Sequence, residues 1–261
     1  MKIEHHQHLS TIDRSAVWAM SETHFRGLCQ FNLLSAATRS IPRATKSTPN
    51  PIQLHGKTAI VNVIGTIHKD KTRELMDTFK RIEHDRTVSN VLLCIDSPGG
   101  QLDSLADLST MIQRVRKSKR VIAYCDDHAL GAAYWIASQA SEIYANSTAM
   151  IGDLGVYTTV TDSSKQAERS GLRVHVIRSG EHKGAGTPGT EITPEQLAEA
   201  KRLVDRFGKL FVESVARGRG VSESIAKRWA DGRVHVGAQA KALGLINGVE
   251  TFETTLARLS V

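Results

Sequence analysis

The sequence predicts an α/β domain with a parallel-rich sheet and surrounding helices. From Lys57 onward, β-branched and apolar runs alternate with stretches of helical spacing. Some of these runs are apolar at nearly every position, as strands covered on both faces of a parallel sheet are. Their alternation with helices implies crossover connections, which lay the helices over the sheet.

Residues 1–56 differ in texture from the rest and read as an N-terminal appendage to a body spanning 57–261. They hold five of the eleven histidines and end in PRATKSTPNP at 42–51, a linker composition. Within them Ala16–Met20 and Phe25–Ala37 read as short helices. His5, His6 and His8 read as part of a surface terminus, and no metal or cofactor is expected.

In the body, Thr58–Ile64 is a β-branched strand run closed by Gly65. Arg73–Ile82 has helical spacing through Leu75, Met76, Phe79 and Ile82. Val88–Ile95 reads as a buried strand, and Leu102–Val115 as a helix with Leu105, Leu108, Ile112 and Val115 on one stripe. Arg120–Cys125 is a second buried strand, followed by a helix at Gly131–Ala140 and short strands at Glu142–Ala145 and Arg173–Arg178. Thr193-Pro194-Glu195-Gln196 is a capping box with proline at the first helical position, and it launches an amphipathic helix to about Ala216.

Composition narrows the function classes. Thirty-four basic against 27 acidic side chains give +7, which suits nucleic acid or an acidic partner. Yet aromatic residues are only 5%, and the densest basic cluster, RKSKR at 116–120, falls where a helix C-terminus meets solvent. Nucleic-acid binding is therefore set aside as the main function. Cys29, Cys94 and Cys125 are odd in number and widely spaced, which excludes a disulfide framework and points to a reducing compartment. The longest apolar runs are about six residues, against the roughly 18–20 that cross a membrane. The opening MKIEHHQHLS has no apolar signal region. The expectation is a cytoplasmic chain with no membrane span.

Four segments carry candidate chemistry. Asp96-Ser97-Pro98-Gly99-Gly100 ends a buried strand, and its glycines leave N–H groups open to a developing oxyanion. A plain tight turn has the same composition. His128 to Trp135 repeats the arrangement after the next strand, with Gly131 and Ala132 small enough for close approach to the first turn. Two such turns face one pocket at the carboxyl ends of a parallel sheet. Gly152-Asp153-Leu154-Gly155-Val156 is the third segment. The fourth is the glycine-rich loop 178–188, where Lys183 reads either as a desolvated base or as a solvated loop lysine.

In this order the motifs resemble the signal peptide peptidase A family of serine peptidases, in the ClpP/crotonase superfamily and closest to its soluble phage-type branch. The resemblance covers about residues 57–250. It rests on DSPGG (96–100), GAAYWIASQASEIYANSTAMIG (131–152), GDLGV (152–156), SGEHK (179–183) and GRVHVGAQAKALGLIN (232–247). It implies a ClpP/crotonase-like fold of repeated β-β-α/β-α units, a polypeptide substrate or peptide ligand, and a homo-oligomer. It also implies a Ser/Lys dyad: a serine attacks the scissile carbonyl, a lysine takes its proton, and the SPGG amides hold the oxyanion. A second serine, in the motif G-S-[IL]-G-V, orients the lysine.

Carried over, Lys183 matches the base and Gly99 and Gly100 the oxyanion turn, with Ala132 beside them. The nucleophile position falls on Gly131 and the lysine-orienting position on Asp153. Without a hydroxyl at 131 the acyl-enzyme route is closed. An aspartate near Lys183 would hold the ammonium charged, against the needs of a base. Because both positions have changed, a naturally impaired member is favoured over a designed knockout, with a role as peptide-binding or assembly partner. The alternatives are an active peptidase with Gly131 engineered or the nucleophile displaced, and a crotonase-like acyl-CoA binder. Of the displaced candidates, Ser138 lies two helical turns past Gly131, and Ser97 precedes the oxyanion turn itself.

Overall fold

A strand apolar at successive positions is stable only with cover on both faces, and Asn90–Ser97 receives that cover. Val91, Leu93 and Ile95 join the main core with Leu75, Phe79, Leu105, Leu108 and Ile112. Leu92 joins a smaller core on the opposite face with Ile122, Tyr124, Tyr144 and Leu259. The computed structural model describes residues 17–20 and 52–260.

In chain order the described elements begin with β1 (Trp18–Met20), β2 (Ile52–His55), β3 (Thr58–Ile64), α1 (Lys69–His84), β4 (Asn90–Ser97) and β5 (Gly99–Gln101). There follow α2 (Leu105–Arg116), β6 (Arg120–Leu130), α3 (Ala132–Ala137), β7 (Glu142–Ala145), β8 (Met150–Gly152) and α4 (Ser164–Arg169). The chain closes with α5 (Pro194–Arg219), α6 (Glu223–Trp229), β9 (Val234–Val236), α7 (Gly237–Ala242), β10 (Gly248–Val249) and α8 (Phe252–Ala257). The main sheet has eight strands: along β10-β7-β6-β4-β3-β2 the pairing is parallel except at the edge strand β2, while β8 branches from β6 in parallel and β9 pairs with β8 antiparallel.

The long strand β6 positions the site. Its first half, Ile122–Cys125, pairs with β7, and its second half, His128–Leu130, peels off to pair with β8. That is why the strand expected at Arg120–Cys125 extends to Leu130, where it delivers Gly131 to the start of α3. The six residues of α3 are all buried. Ser138 ends the helix with its Oγ donating to the Trp135 carbonyl at 2.7 Å. Arg116 clamps the far end of α3 to α5 by donating to the carbonyls of Gln139, Ala140 and Gly218 at 3.0–3.3 Å. Trp135 stacks on Phe211 of α5 at 4.8 Å, and its Nε1 donates to Ser214. The capping box at Thr193 and Gln196 forms as the sequence indicates.

Two local expectations differ from the structure. Trp18–Met20 is a strand rather than a helix, because its partner is Gly99–Gln101, far along the chain. Arg173–Arg178 alternates like a strand but joins no ladder among the described residues, and it is exposed throughout. Phe25–Ala37, the stretch 42–51 and His5, His6 and His8 lie outside the described residues.

Candidate functional site

The site is built where β4 breaks register between Ile95 and Ser97 and the chain turns through Pro98 into β5. The Gly99 N–H donates to Ser97 Oγ at 3.2 Å. One edge of β5 is held by Ile67, whose N–H donates to the Gly99 carbonyl at 2.9 Å while its carbonyl accepts from the Gln101 N–H at 2.8 Å. Contact on that edge is main chain to main chain. A Cβ on Gly100 would lie 2.6 Å from the Ile67 carbonyl carbon and 2.7 Å from its nitrogen, so only glycine fits.

The other edge of β5 carries β1. The pairing is antiparallel and sets Trp18 opposite Gln101, Ala19 opposite Gly100 and Met20 opposite Gly99. On the far side of β1, the Trp18 N–H donates to the Tyr157 carbonyl and the Tyr157 N–H to the Trp18 carbonyl, both at 2.9 Å. Trp18, Ala19 and Met20 are all buried.

Gly131 sits at the N-cap of α3 with φ +51°, and its N–H donates to the Gly152 carbonyl at 3.0 Å. A Cβ there would lie 2.5 Å from the Ala19 carbonyl carbon and 3.0 Å from the Met20 nitrogen, and it would also meet the Ala19 carbonyl oxygen. A Cβ on Gly99 would meet the same oxygen. The structure therefore gathers Gly99, Gly100, Gly131 and the adjoining Ala132 around the Ala19–Met20 peptide bond.

The lysine half of the pattern does not join them. Lys183 lies exposed in the loop after residue 178, its N–H donating to the Gly180 carbonyl at 3.0 Å. No ion pair links it to Asp153 among the described residues. Asp153 has φ +54° and donates its N–H to the Arg233 carbonyl at 2.7 Å. Burial pushes its carboxyl pKa up to about 7, and its Oδ2 is enclosed without a hydrogen-bond partner among the described residues. A neighbouring ammonium would hold that carboxyl down instead.

The displaced-nucleophile positions are already engaged. Ser97 and Ser138 are fully buried; Ser97 Oγ accepts from the Gly99 amide, and Ser138 Oγ both donates to Trp135 and accepts from Gln139. The free thiols of Cys94 and Cys125 are pushed up to about 12 by burial, far from thiolate chemistry. Sequence reasoning missed two features at this end of the sheet. His128 Nδ1 and Asp96 Oδ1 pair at 2.9 Å between β6 and β4, a contact that needs the strand register to be seen. The other is β1, whose one signal was three glycines in two turns, since such glycines admit another backbone.

The model for peptidase family S49 matches residues 113–261, more than half of the chain. The chain belongs to peptidase family S49. A Clp protease model matches residues 46–171, so the signal peptide peptidase A resemblance and the ClpP/crotonase-like fold both hold. Among relatives of this S49 chain, the head-tail preconnector protein GP5 of Enterobacteria phage P21 is 35% identical over 53% of this chain and 28% of its own length. The capsid assembly protease C of Escherichia phage lambda is 29% identical over 62% of this chain and 36% of its own. The chain thus spans about a third of the length of these phage relatives. The stomatin-specific membrane-bound protease 1510-N, solved as a lysine-to-alanine mutant with a substrate peptide, superposes with TM-score 0.51 at 17% identity, covering 77% of this chain and 78% of that one. That likeness concerns the fold. Among the described residues of this S49 chain, no helix is long and apolar enough to cross a membrane.

Proposed function

We propose that this S49 chain keeps the peptide groove of its family, has lost hydrolysis, and works as a cytoplasmic peptide-binding or assembly partner. The observation that carries the reading is Gly131. At the nucleophile position there is no hydroxyl, and the space a side chain would need is taken by the main chain of Ala19 and Met20. Lys183, left exposed, and Asp153, half-buried with its Oδ2 enclosed and its pKa raised, support it further. The phage relatives named for capsid assembly and for a preconnector support an assembly role.

Self-association belongs to the same proposal. Leu172 and Ile177 are 64% and 99% exposed, in a segment with strand composition and no ladder among the described residues. Side chains of this kind are commonly covered by a second copy. Residues 1–56 then act as an appendage serving the 57–261 body, since Trp18–Met20 and Ile52–His55 both pair with its strands.

The test is incubation with an unfolded protein, comparing the native chain, Gly131→Ser, and Gly131→Ser/Asp153→Ser. The native chain is expected to leave the substrate intact. Cleavage by the native chain that a serine-directed fluorophosphonate abolishes would end the impaired-enzyme reading.

A further inference from the structure

The peptide groove of the proposed function has an occupant in the structure, and it is the chain itself. We propose that Trp18-Ala19-Met20 is a tethered ligand of that groove, bound with the Ala19–Met20 bond over position 131, and that the groove selects peptides with a small residue there between two large apolar ones. The inference rests on the peptide-groove reading and names the ligand class that reading leaves open.

Main-chain pairing comes first. An extended segment added to a free strand edge gains affinity from ladder hydrogen bonds and specificity from alternate side chains. β1 is held on both edges, by β5 on one side and Tyr157 on the other. Successive residues of a strand aim their N–H and C=O groups at opposite edges. Both Trp18 groups engage Tyr157, so those of Ala19 face Gly100, the turn assigned to oxyanion binding.

Side chains come second. Alternation places Trp18 and Met20 on one face of the segment and Ala19 on the other. Ala19 is fully buried within the main core cluster, so that subsite is closed around a methyl group. Trp18 is 1% exposed and meets the His68 ring edge-on at 6.3 Å, and Met20 is 2% exposed.

The glycine comes third. An enzyme inactivated only by loss of its nucleophile would tolerate alanine at 131. Here even a methyl group collides with the Ala19–Met20 peptide unit, and φ is +51°. One residue therefore both removes the nucleophile and admits the tethered segment.

The experiment uses the full chain and a fluorescent peptide with the sequence of residues 15–23, SAVWAMSET. Anisotropy titrations compare the native chain with Ala19→Arg, which cannot seat against Gly131, and with Trp18→Ala, which removes an anchor without adding charge. Hydrogen exchange at the Trp18 and Tyr157 amides is followed alongside, with β4 amides as the folding control. A tethered segment competes at an effective concentration of about millimolar, so the native chain should bind the peptide at least about tenfold more weakly than either folded variant. The Trp18 and Tyr157 amides should be protected in the native chain and lose protection in the variants while β4 keeps its own. A second peptide carrying Ala19→Leu should bind the variants at least about tenfold more weakly than the first. Equal binding by native chain and variants would overturn the tethered occupancy and leave the groove reading standing. So would unprotected Trp18 and Tyr157 amides in the native chain. No binding by any folded protein would overturn the groove reading and this inference with it. Equal binding of the two peptides would overturn the selectivity.

Discussion

Gly131 and Lys183 are the two positions at which Ser/Lys chemistry would meet, and they lie in opposite surroundings. Around Gly131 everything is main chain in contact with main chain: β5 against Ile67, β1 against β5, and the Gly131 amide on Gly152. Around Lys183 every residue from Thr159 to Glu191 is exposed or half-buried, and the one helix there, α4, buries none of its residues. The first region is fixed by contacts that this chain supplies to itself. The second has the composition of structure without the neighbours that would complete it. The segment around Gly131 is thus packed and enclosed, while the segment that carries Lys183 is open to solvent.

The largest effect expected from breaking the rigid half is Gly100→Ala. Its Cβ would fall on the Ile67 backbone, which cannot rotate away as a side chain would. The cost should be about 3 kcal/mol or more, lowering Tm by roughly 10 °C in a chain of this size. A thermal melt checks it, and a loss under about 2 °C would mean that β5 and Ile67 are looser than the structure shows.

Next is Arg116→Ala. The guanidinium joins the end of α3 to α5 through three carbonyls, and deleting it leaves partly buried acceptors without a donor. About 2 kcal/mol is expected from charge-assisted hydrogen bonds of this kind. Denaturant titration should show a lower midpoint with an unchanged slope.

Asp153 sits between the two regions and sharpens the comparison through pH. Its carboxyl titrates near 3.8 in the unfolded chain and at about 7 in the folded one, because burial penalises the charge. The folded state thus binds the proton more tightly. Its stabilising share is complete below about pH 4, falls between 4 and 7, and is gone above 7. The carboxylates of Glu142 and Asp162, held low by hydrogen bonds, act in the opposite sense by losing stability as pH falls. The difference between Asp153→Asn and the native chain isolates the one group. Asparagine accepts the positive φ as readily as aspartate. The variant should gain a few degrees in Tm over the native chain on going from pH 4 to 8. Parallel Tm curves would show that the Asp153 carboxyl is ionised in the folded chain across this range, its pKa not raised by burial.

What the sequence made legible divides along the same line. Thr58–Ile64, Val88–Ile95 and the capping box at Thr193 were readable because their signals are local: β-branching, unbroken apolarity and a four-residue cap. The gathering of Gly99, Gly100 and Gly131 was readable through motif order. Trp18–Met20 was not, because Ala-Val-Trp-Ala-Met carries no period-two pattern and becomes extended only by pairing with Gly99–Gln101. Arg173–Arg178 failed in the reverse direction: its alternation is sound, but a strand needs an edge to join, and the described residues supply none. Lys183 reads as a base only through the resemblance; its place in a glycine-rich loop favours a solvated lysine, and it is exposed.

The smallest effect belongs to Lys183 itself. A lysine in an exposed loop loses only solvent contacts on truncation, so Lys183→Ala should change stability by less than about 0.5 kcal/mol. Peptide binding by the Trp18→Ala chain should be unaffected as well, because the groove around Gly131 makes no use of this side chain. Brief trypsin treatment probes the same region in the native chain. Lys165, Arg169, Arg173, Arg178 and Lys183 are presented on exposed backbone, whereas Arg116, Lys119 and Arg120 border the buried sheet. Exposed, weakly packed backbone opens most easily, so among the described residues the first cuts should fall between 165 and 183. They should slow as protein concentration rises if a second copy covers Leu172 and Ile177. Cutting that is equally fast at every concentration would show the loop open to solvent in every state of the protein, and the exposed apolar segment would then be no assembly surface.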